Sequence, residues 1–330
     1  MKVRMTKLAS ILTTVILLAV AAIPAHGFVA EGSFDRTLKV TGAVDLDVAT
    51  GSGNIDVRTG DSGSVHVRAK IRASNNWHGD SADAEKKVHE LETNPPIEQN
   101  GNSIRIGHIE DPELRRNISI SYELEVPAET RLAANTGSGN ETISGIQGPL
   151  RANTGSGSLK ISNIGDELDA NSGSGDIEAD SIKGHARVHT GSGWIHASGI
   201  AGAIVAGTGS GDIRLEQTAP GDVRVETGSG TTELTGVSGS LEARSGSGNI
   251  SASGSPTGGW SMHSGSGTLK VHFATQVGFD LDAHTSSGQI ITDQPITVQG
   301  TIGRGRMQGK ARGGGVRLNL ETGSGNIHIE

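Results

Sequence analysis

The sequence predicts an all-β chain: a parallel, right-handed β-solenoid of about 18-residue coils, with one short helix in an N-terminal insert. Three observations carry this. The tetrapeptide [TS]GSG starts at Thr50, Thr136, Thr154, Ser172, Thr190, Thr208, Thr227, Ser245, Ser264 and Thr322, with a degenerate TSSG at Thr285. From Thr136 to Thr285 the successive spacings are 18, 18, 18, 18, 19, 18, 19 and 21 residues. Between the tetrapeptides apolar residues recur at alternate positions, which is strand periodicity.

One coil shows the pattern. With the first Gly of the motif as place one, residues 191–208 set Ile195, Ala197, Ile200, Ile204 and Ala206 at the apolar places. The preceding coil sets Ile177, Ala179, Ile182, Ala186 and Val188 there. Each coil therefore holds two short strands and two turns, one at GSG and one near Gly184, Gly202 and Gly239. A hairpin meander has no need of the same residue type at the same place. Coils stacked about 4.8 Å apart do. Thr or Ser before every GSG, and Ile or Leu at place five, are such columns. A lone coil cannot bury its apolar set, so stability comes from stacking. The turn glycines Gly137, Gly139, Gly155, Gly157, Gly173, Gly175, Gly191, Gly193, Gly209 and Gly211 are expected to supply positive φ at the corners. The Thr/Ser column is expected to point inward and hydrogen-bond along the stack.

The elements follow in chain order. Residues 1–27 read as an export signal: a basic start (Lys2, Arg4, Lys7), an apolar run over 8–23, then Pro24 and Ala25-His26-Gly27 before a cut at Phe28. The run falls short of the ~20 residues that span a bilayer; left uncleaved, it would be an N-terminal anchor. Residues 28–330 read as a single solenoid domain. Within it 28–74 form the first coils, and 75–130 an insert with a helix over 81–93 and two strands. Regular coils occupy 131–285, and 286–330 an irregular basic segment with the final coil. The helix rests on Ala84, Val88 and Leu91 sharing one face, and Pro95-Pro96 stops it. The insert is expected to cover one end of the stack. At the other end, Ile327 and Ile329 are expected to leave an open edge that permits end-to-end self-association.

Composition narrows the function. The chain lacks Cys, which excludes disulfides, thiolate nucleophiles and thiolate metal sites. A net charge of −8 argues against nucleic-acid binding. Aromatic content of 2% argues against stacking platforms for sugars or bases. The 50 glycines are periodic, which separates this chain from disordered Gly-rich sequence.

The motifs also carry a resemblance. YELEVP at 122–127, TGSGN at 136–140 and a terminal GGGVRLNLETGSGNIHIE make the chain similar, over about residues 34–330, to the bacterial β-strand-repeat proteins named putative adhesins. Those proteins carry a domain of unknown function built on TGSGDI repeats. The resemblance implies a β-solenoid at or outside the cell envelope and supplies no catalytic residues. This chain departs from the repeat at Glu141, Trp194, Thr232 and the TSSG copy.

Each candidate chemistry has a plainer competitor. Asp176 and Asp212 follow GSG two coils apart, so a calcium ladder with Asp in every turn is absent and turn-favouring polar residues remain. His189 and His196 flank one turn beside Trp194, with His185 near, and His263 and His284 share an outward place, yet no carboxylate completes a metal shell. The outward columns Arg151, Asp169, Arg187, Val205, Arg224, Glu242 and Lys160, Glu178, His196, Arg214, Glu233 mix signs and read as register-keeping faces. Trp260 falls at an inward place. The basic residues Arg304, Arg306, Lys310, Arg312 and Arg317, with no acid among them, are the candidate binding site for an anionic envelope polymer, a glycan or a host surface. Glycoside chemistry needs two facing carboxylates, and the carboxylates here are scattered. The sequence therefore reads as an exported, non-enzymatic, adhesin-like envelope protein in the periplasm, at the cell surface or secreted, without metal or cofactor. A structural protein stacking end to end and a polysaccharide-active enzyme are the alternatives.

Overall fold

The computed structural model describes residues 28–74, 81–298 and 305–330; the export signal and Arg304 lie outside the described residues. The chain is an all-β parallel solenoid whose coils build two long sheets, one of 14 and one of 15 strands. Each regular coil gives one strand to each sheet. Leu168–Ser172 lies in the 15-stranded sheet, the GSG corner follows, and Ile177–Ile182 lies in the 14-stranded sheet. Register is place on place: Leu150, Ala152 and Thr154 sit beside Leu168, Ala170 and Ser172, which sit beside Ala186, Val188 and Thr190. Alternate residues point inward and are buried, so the core is a file of Ile, Leu, Val and Ala between two sheets.

The inward Thr/Ser column ties the coils together. The Thr154 hydroxyl donates to the carbonyl oxygen of Gly139 in the preceding coil at 2.9 Å and accepts the amide of Gly157 at 3.0 Å. Ser172 repeats this with Gly157 and Gly175, and Thr136 with Gly53 and Gly139. Burying these hydroxyls is tolerable because each has a partner.

The glycines of the motif have a different cause from the one expected. None of the ten corner glycines from Gly137 to Gly211 has a positive φ. What excludes a side chain is the neighbouring coil. A Cβ on Gly155 would lie 2.4 Å from the Gly137 oxygen, and one on Gly175 would lie 1.8 Å from the Gly157 oxygen. Positive φ falls at place nine instead, on Asn163 (57°), Ser181 (58°), Gly199 (65°) and Gly236 (73°). Asn and Gly are the residues that accept it most readily.

Both ends depart from sequence order. At the N-terminal end only Val44–Thr50 and Ile55–Thr59 form a coil, which stacks on Thr130–Thr136 and Glu141–Ser144. Ser103–Ile106 and Ile118–Val126 of the insert stack outside it. Phe28–Lys39 and Ser64–Ser74 are therefore not coils: they add antiparallel strands beyond Ile118–Val126. The insert also contains the strand Ile97–Asn100 and the short helix Pro112–Arg115, beyond the helix and two strands expected. Helix Ser81–Thr93 buries Ala84, Val88 and Leu91 against the core, and its Glu92 Oε1 accepts the Ser33 amide at 2.9 Å.

At the C-terminal end the final coil is not the last in space. Val316–Ser324 lies between Trp260–Ser266 and Phe279–Ser287, and Ile327–Ile329 lies between Leu269–Phe273 and Ile290–Thr292. Ile327 and Ile329 are buried, so the expected open edge at these residues does not exist. The path explains it. Arg306–Ala311 runs antiparallel along the outer side of Phe279–Ser287. Arg312, Gly313 and Gly314, all at positive φ, then reverse the chain onto the inner side. Ile296–Thr297 pairs antiparallel outside Arg306–Ala311.

Candidate functional site

The outer faces of the two sheets are columns of polar side chains set by strand register. Cross-strand ion pairs use much of their charge: Arg151 with Asp169 at 3.3 Å, Lys160 with Glu178 at 3.3 Å, Arg214 with Glu233 at 2.7 Å and Arg224 with Glu242 at 3.0 Å. Arg187 reaches Glu167 at 2.8 Å, skipping the Asp169 beside it in register. Asn135, Asn153 and Asn171 form an amide ladder with bonds of 3.0 and 3.2 Å. These pairs hold register and contribute about 0–1 kcal/mol each where exposed.

Place four, after GSG, has a structural task. The Asp176 carboxylate accepts the Trp194 amide at 3.0 Å, Asp212 the Thr231 amide at 2.7 Å and Asn249 the Thr268 amide at 2.8 Å. Asp and Asn at this corner thus cap the next coil. Asp222 does the same at the second corner, accepting both the amide and hydroxyl of Ser240, which hold its carboxyl below the ordinary range.

At the N-terminal end a groove of about 280 Å³ on the 14-stranded sheet is filled with paired charge. Arg58 bonds Glu125, Lys70 bonds Glu123 at 2.7 Å, and Asp35 takes His66 at 2.6 Å and Arg68 at 3.3 Å. The hydrogen bonds from His66, Lys70 and Arg58 keep Asp35, Glu123 and Glu125, respectively, below the usual carboxylate range.

The structure distributes the candidates from the sequence. Of the basic residues, Arg306 faces Asp282 at 3.3 Å and Lys310 faces Asp280 at 3.7 Å. Arg312 donates to Gln276 at 2.9 Å and Gln294 at 3.2 Å. Arg317 is exposed on the adjoining strand Val316–Ser324. The acids missing from this segment therefore come from Phe279–Ser287 beside it, and antiparallel pairing is what sequence order could not show. His263 and His284 are not neighbours either: both sit in register with Glu321 of the strand between them. His189 and His196 face opposite sheets. Among the described residues no cluster of His, Asp and Glu could hold a metal ion. Trp260 is buried and its indole donates to the Gly239 oxygen at 3.2 Å.

Two features escaped sequence reasoning about sites. Glu141 occupies the inward place five, between Ile55 and Leu159, is 0% exposed, and its carboxyl oxygens have no hydrogen-bond partner. Burial pushes its carboxyl up to about 8, with the Thr136 backbone pulling more weakly the other way. The departure from Ile or Leu at this place was the available signal. Trp194, at place four, is 44% exposed.

Parallel coils joined by [TS]GSG corners, with hydroxyl and carboxylate ladders between them, define a β-strand-repeat solenoid. The chain belongs to the Toastrack DUF4097 family, whose model matches residues 165–330, half of the chain. Solved structures to which the chain is similar include a putative adhesin from Parabacteroides distasonis, at 14% identity and TM-score 0.41, covering 74% of this chain and 97% of that one. A putative adhesin from Bacteroides fragilis has 15% identity and TM-score 0.35, covering 73% and 97%. A putative lipid binding protein from Parabacteroides distasonis has 14% identity and TM-score 0.39, covering 74% and 97%. At these values the likeness carries no argument about fold, ligand or role. No curated protein matches the chain.

Proposed function

We propose that this protein is an exported, non-enzymatic binding module of the cell envelope, adhesin-like in that it holds a ligand along the sides of the stack. One observation carries the reading: the regular coils present long open sides, while both ends depart from the regular coil. Antiparallel strands and a helix close the N-terminal end, and Arg306–Ala311 and Ile296–Thr297 extend the C-terminal end. The outer faces are continuous, register-locked and furrowed, with a groove of about 520 Å³ near Arg131 and Arg151 and one of about 590 Å³ over Val205. A long solenoid flank is an extended binding surface. The basic start, apolar run and small-residue cut site over 1–27 support export. Stacking end to end through the final coil loses its basis, since that coil is internal.

The test is retention of the mature chain, residues 28–330, on peptidoglycan, lipopolysaccharide and envelope polysaccharides at low and high salt. Saturable retention without release of reducing or unsaturated ends is expected. A variant with Ala at Arg304, Arg306, Lys310, Arg312 and Arg317 should lose less than a tenth of the affinity, because two of these charges are already neutralised. No retention on any polymer would sink the reading. Loss confined to the Ala variant would place the site at the basic segment instead.

A further inference from the structure

Trp194 is unlike every other aromatic side chain described. Phe34, Tyr122, Trp260, Phe273 and Phe279 are buried, whereas Trp194 stands at a corner of the stack, 44% exposed. Nothing in the coil calls for it. At place four Asp and Asn cap the next coil with a side-chain oxygen. An indole has a donor and no acceptor, so Trp194 cannot give that cap. Its only ring contact described is edge-to-face with His196, at 6.5 Å and 86°.

What surrounds the ring is polar. Trp194 forms one wall of a shallow groove of about 360 Å³ on the 14-stranded sheet, shared with His196, Asp212, Arg214, Thr231 and Glu233. Register places Arg214 beside His196 and Glu233 beside Arg214, so the planar groups are spaced by one strand step, about 4.8 Å. Arg214 holds one oxygen of Glu233 through Nε at 3.0 Å and Nη2 at 2.7 Å. Three of the five guanidinium N–H groups and the second carboxylate oxygen lie outside that pair of bonds, and both side chains are more than half exposed.

A flat apolar plate beside a fixed row of donors and acceptors fits a ligand with one apolar face and a hydroxylated rim. That is a pyranose ring: its C–H face lies on the indole and its hydroxyls bond in bidentate fashion to carboxylate and guanidinium. We infer that Trp194, with Arg214 and Glu233, forms a subsite for a neutral hexose unit of a glycan. A cationic ligand fits less well, since a single indole is no aromatic cage and Arg214 would repel it. Low aromatic content argued against stacking platforms in general; placement leaves this one. The inference rests on the binding role proposed above and gives it a ligand class.

The test follows tryptophan emission of the mature chain, 28–330, during titration with chitotetraose, cellotetraose and maltotetraose, with tetramethylammonium as the cationic control. At least one tetrasaccharide is expected to change the emission saturably, with little difference between low and high salt. Trp194→Asn, which installs the residue used at place four in other coils, should fold as the wild type and bind at least tenfold more weakly by calorimetry. Arg214→Ala should weaken binding severalfold, and Lys183→Ala, an exposed residue beside the second corner, should leave it unchanged. Binding of tetramethylammonium alone, equal binding by W194N, or no response to any saccharide would overturn the subsite. Retention of envelope polymers by W194N would then leave the binding role standing, while loss of all retention by the wild type would remove both.

Discussion

A Cβ on Gly157 would lie 1.8 Å from the carbonyl oxygen of Gly139, one coil away. The second glycine of this corner is therefore set by the approach of two backbones, with no positive φ to demand it. Gly157→Ala should destabilise the protein by about 3 kcal/mol or more, at the upper end of overpacking. Gly51→Ala is the internal control: it lies in the same motif, yet a Cβ there meets nothing within 4 Å. Urea midpoints of the two variants check this. Equal destabilisation would return the argument to corner conformation.

The inward hydroxyls make a second, separable prediction. Thr190 is fully buried and bonds the Gly175 oxygen at 2.7 Å and the Gly193 amide at 3.2 Å. Thr190→Val keeps the shape and leaves both groups unpaired, at about 1–3 kcal/mol. Thr190→Ser keeps the bonds and loses a methyl, about 0.8 kcal/mol. Ser245 stands in the same column, but its hydroxyl has no partner. Ser245→Ala should therefore be nearly neutral. Thermal unfolding of the three variants would expose a ladder that contributes nothing, because T190V and T190S would then fall together.

The repeat made the coil, its two strands and the inward Thr legible, because stacking forces like residues into like places. The end of the chain was misread for a physical reason. Period and sequence order say which residues stack, but not in what order the coils lie. TGSGNIHIE reads as the last coil, yet Thr322 bonds the Gly267 oxygen at 2.8 Å and Thr285 bonds the Gly325 oxygen at 2.8 Å. The ladder therefore passes through the final coil before it reaches an earlier one. The basic residues misled similarly: Asp280 and Asp282 are far in sequence and adjacent across an antiparallel pair. Trp194 was visible as a departure from the repeat, but only the fold shows that its ring is outside.

Intercalation of the final coil has its own test. Ile327 is buried between Leu269 and Ile290, while Ile291, on the next strand outward, is 41% exposed. Ile327→Lys buries an unpaired charge and should cost several kcal/mol. Ile291→Lys should stay within about 0.5 kcal/mol of the wild type. Hydrogen exchange adds location: in I327K the amides of Phe279–Ser287 and Ile290–Thr292 should lose protection, since their inner neighbour is displaced. A terminal strand on a free edge would let both substitutions pass.

Glu141 should give the protein a stability that falls with rising pH. Its carboxyl titrates at about 8 when folded, because the side chain is buried between Ile55 and Leu159 and the Thr136 backbone offsets only part of that cost. In the unfolded chain it titrates at about 4.3. The folded state thus keeps a proton that the unfolded state releases. Stability is full below the ordinary carboxyl value and declines as pH rises from there through about 8, by up to ~1.4 kcal/mol per pH unit. The carboxyls held low by cations or hydroxyls, such as Glu125 and Asp222, act in the opposite sense and only at acid pH, where they lose their partners' benefit as they protonate. The informative quantity is a difference between two chains, in which contributions common to both cancel. Glu141→Leu installs the residue that Leu159 supplies in the next coil. Denaturant unfolding at pH 5, 7 and 9 should show E141L more stable than the wild type by a margin that widens with pH. Parallel pH profiles would mean that the carboxyl finds water or a partner when it ionises, and that the core at this coil opens to admit it.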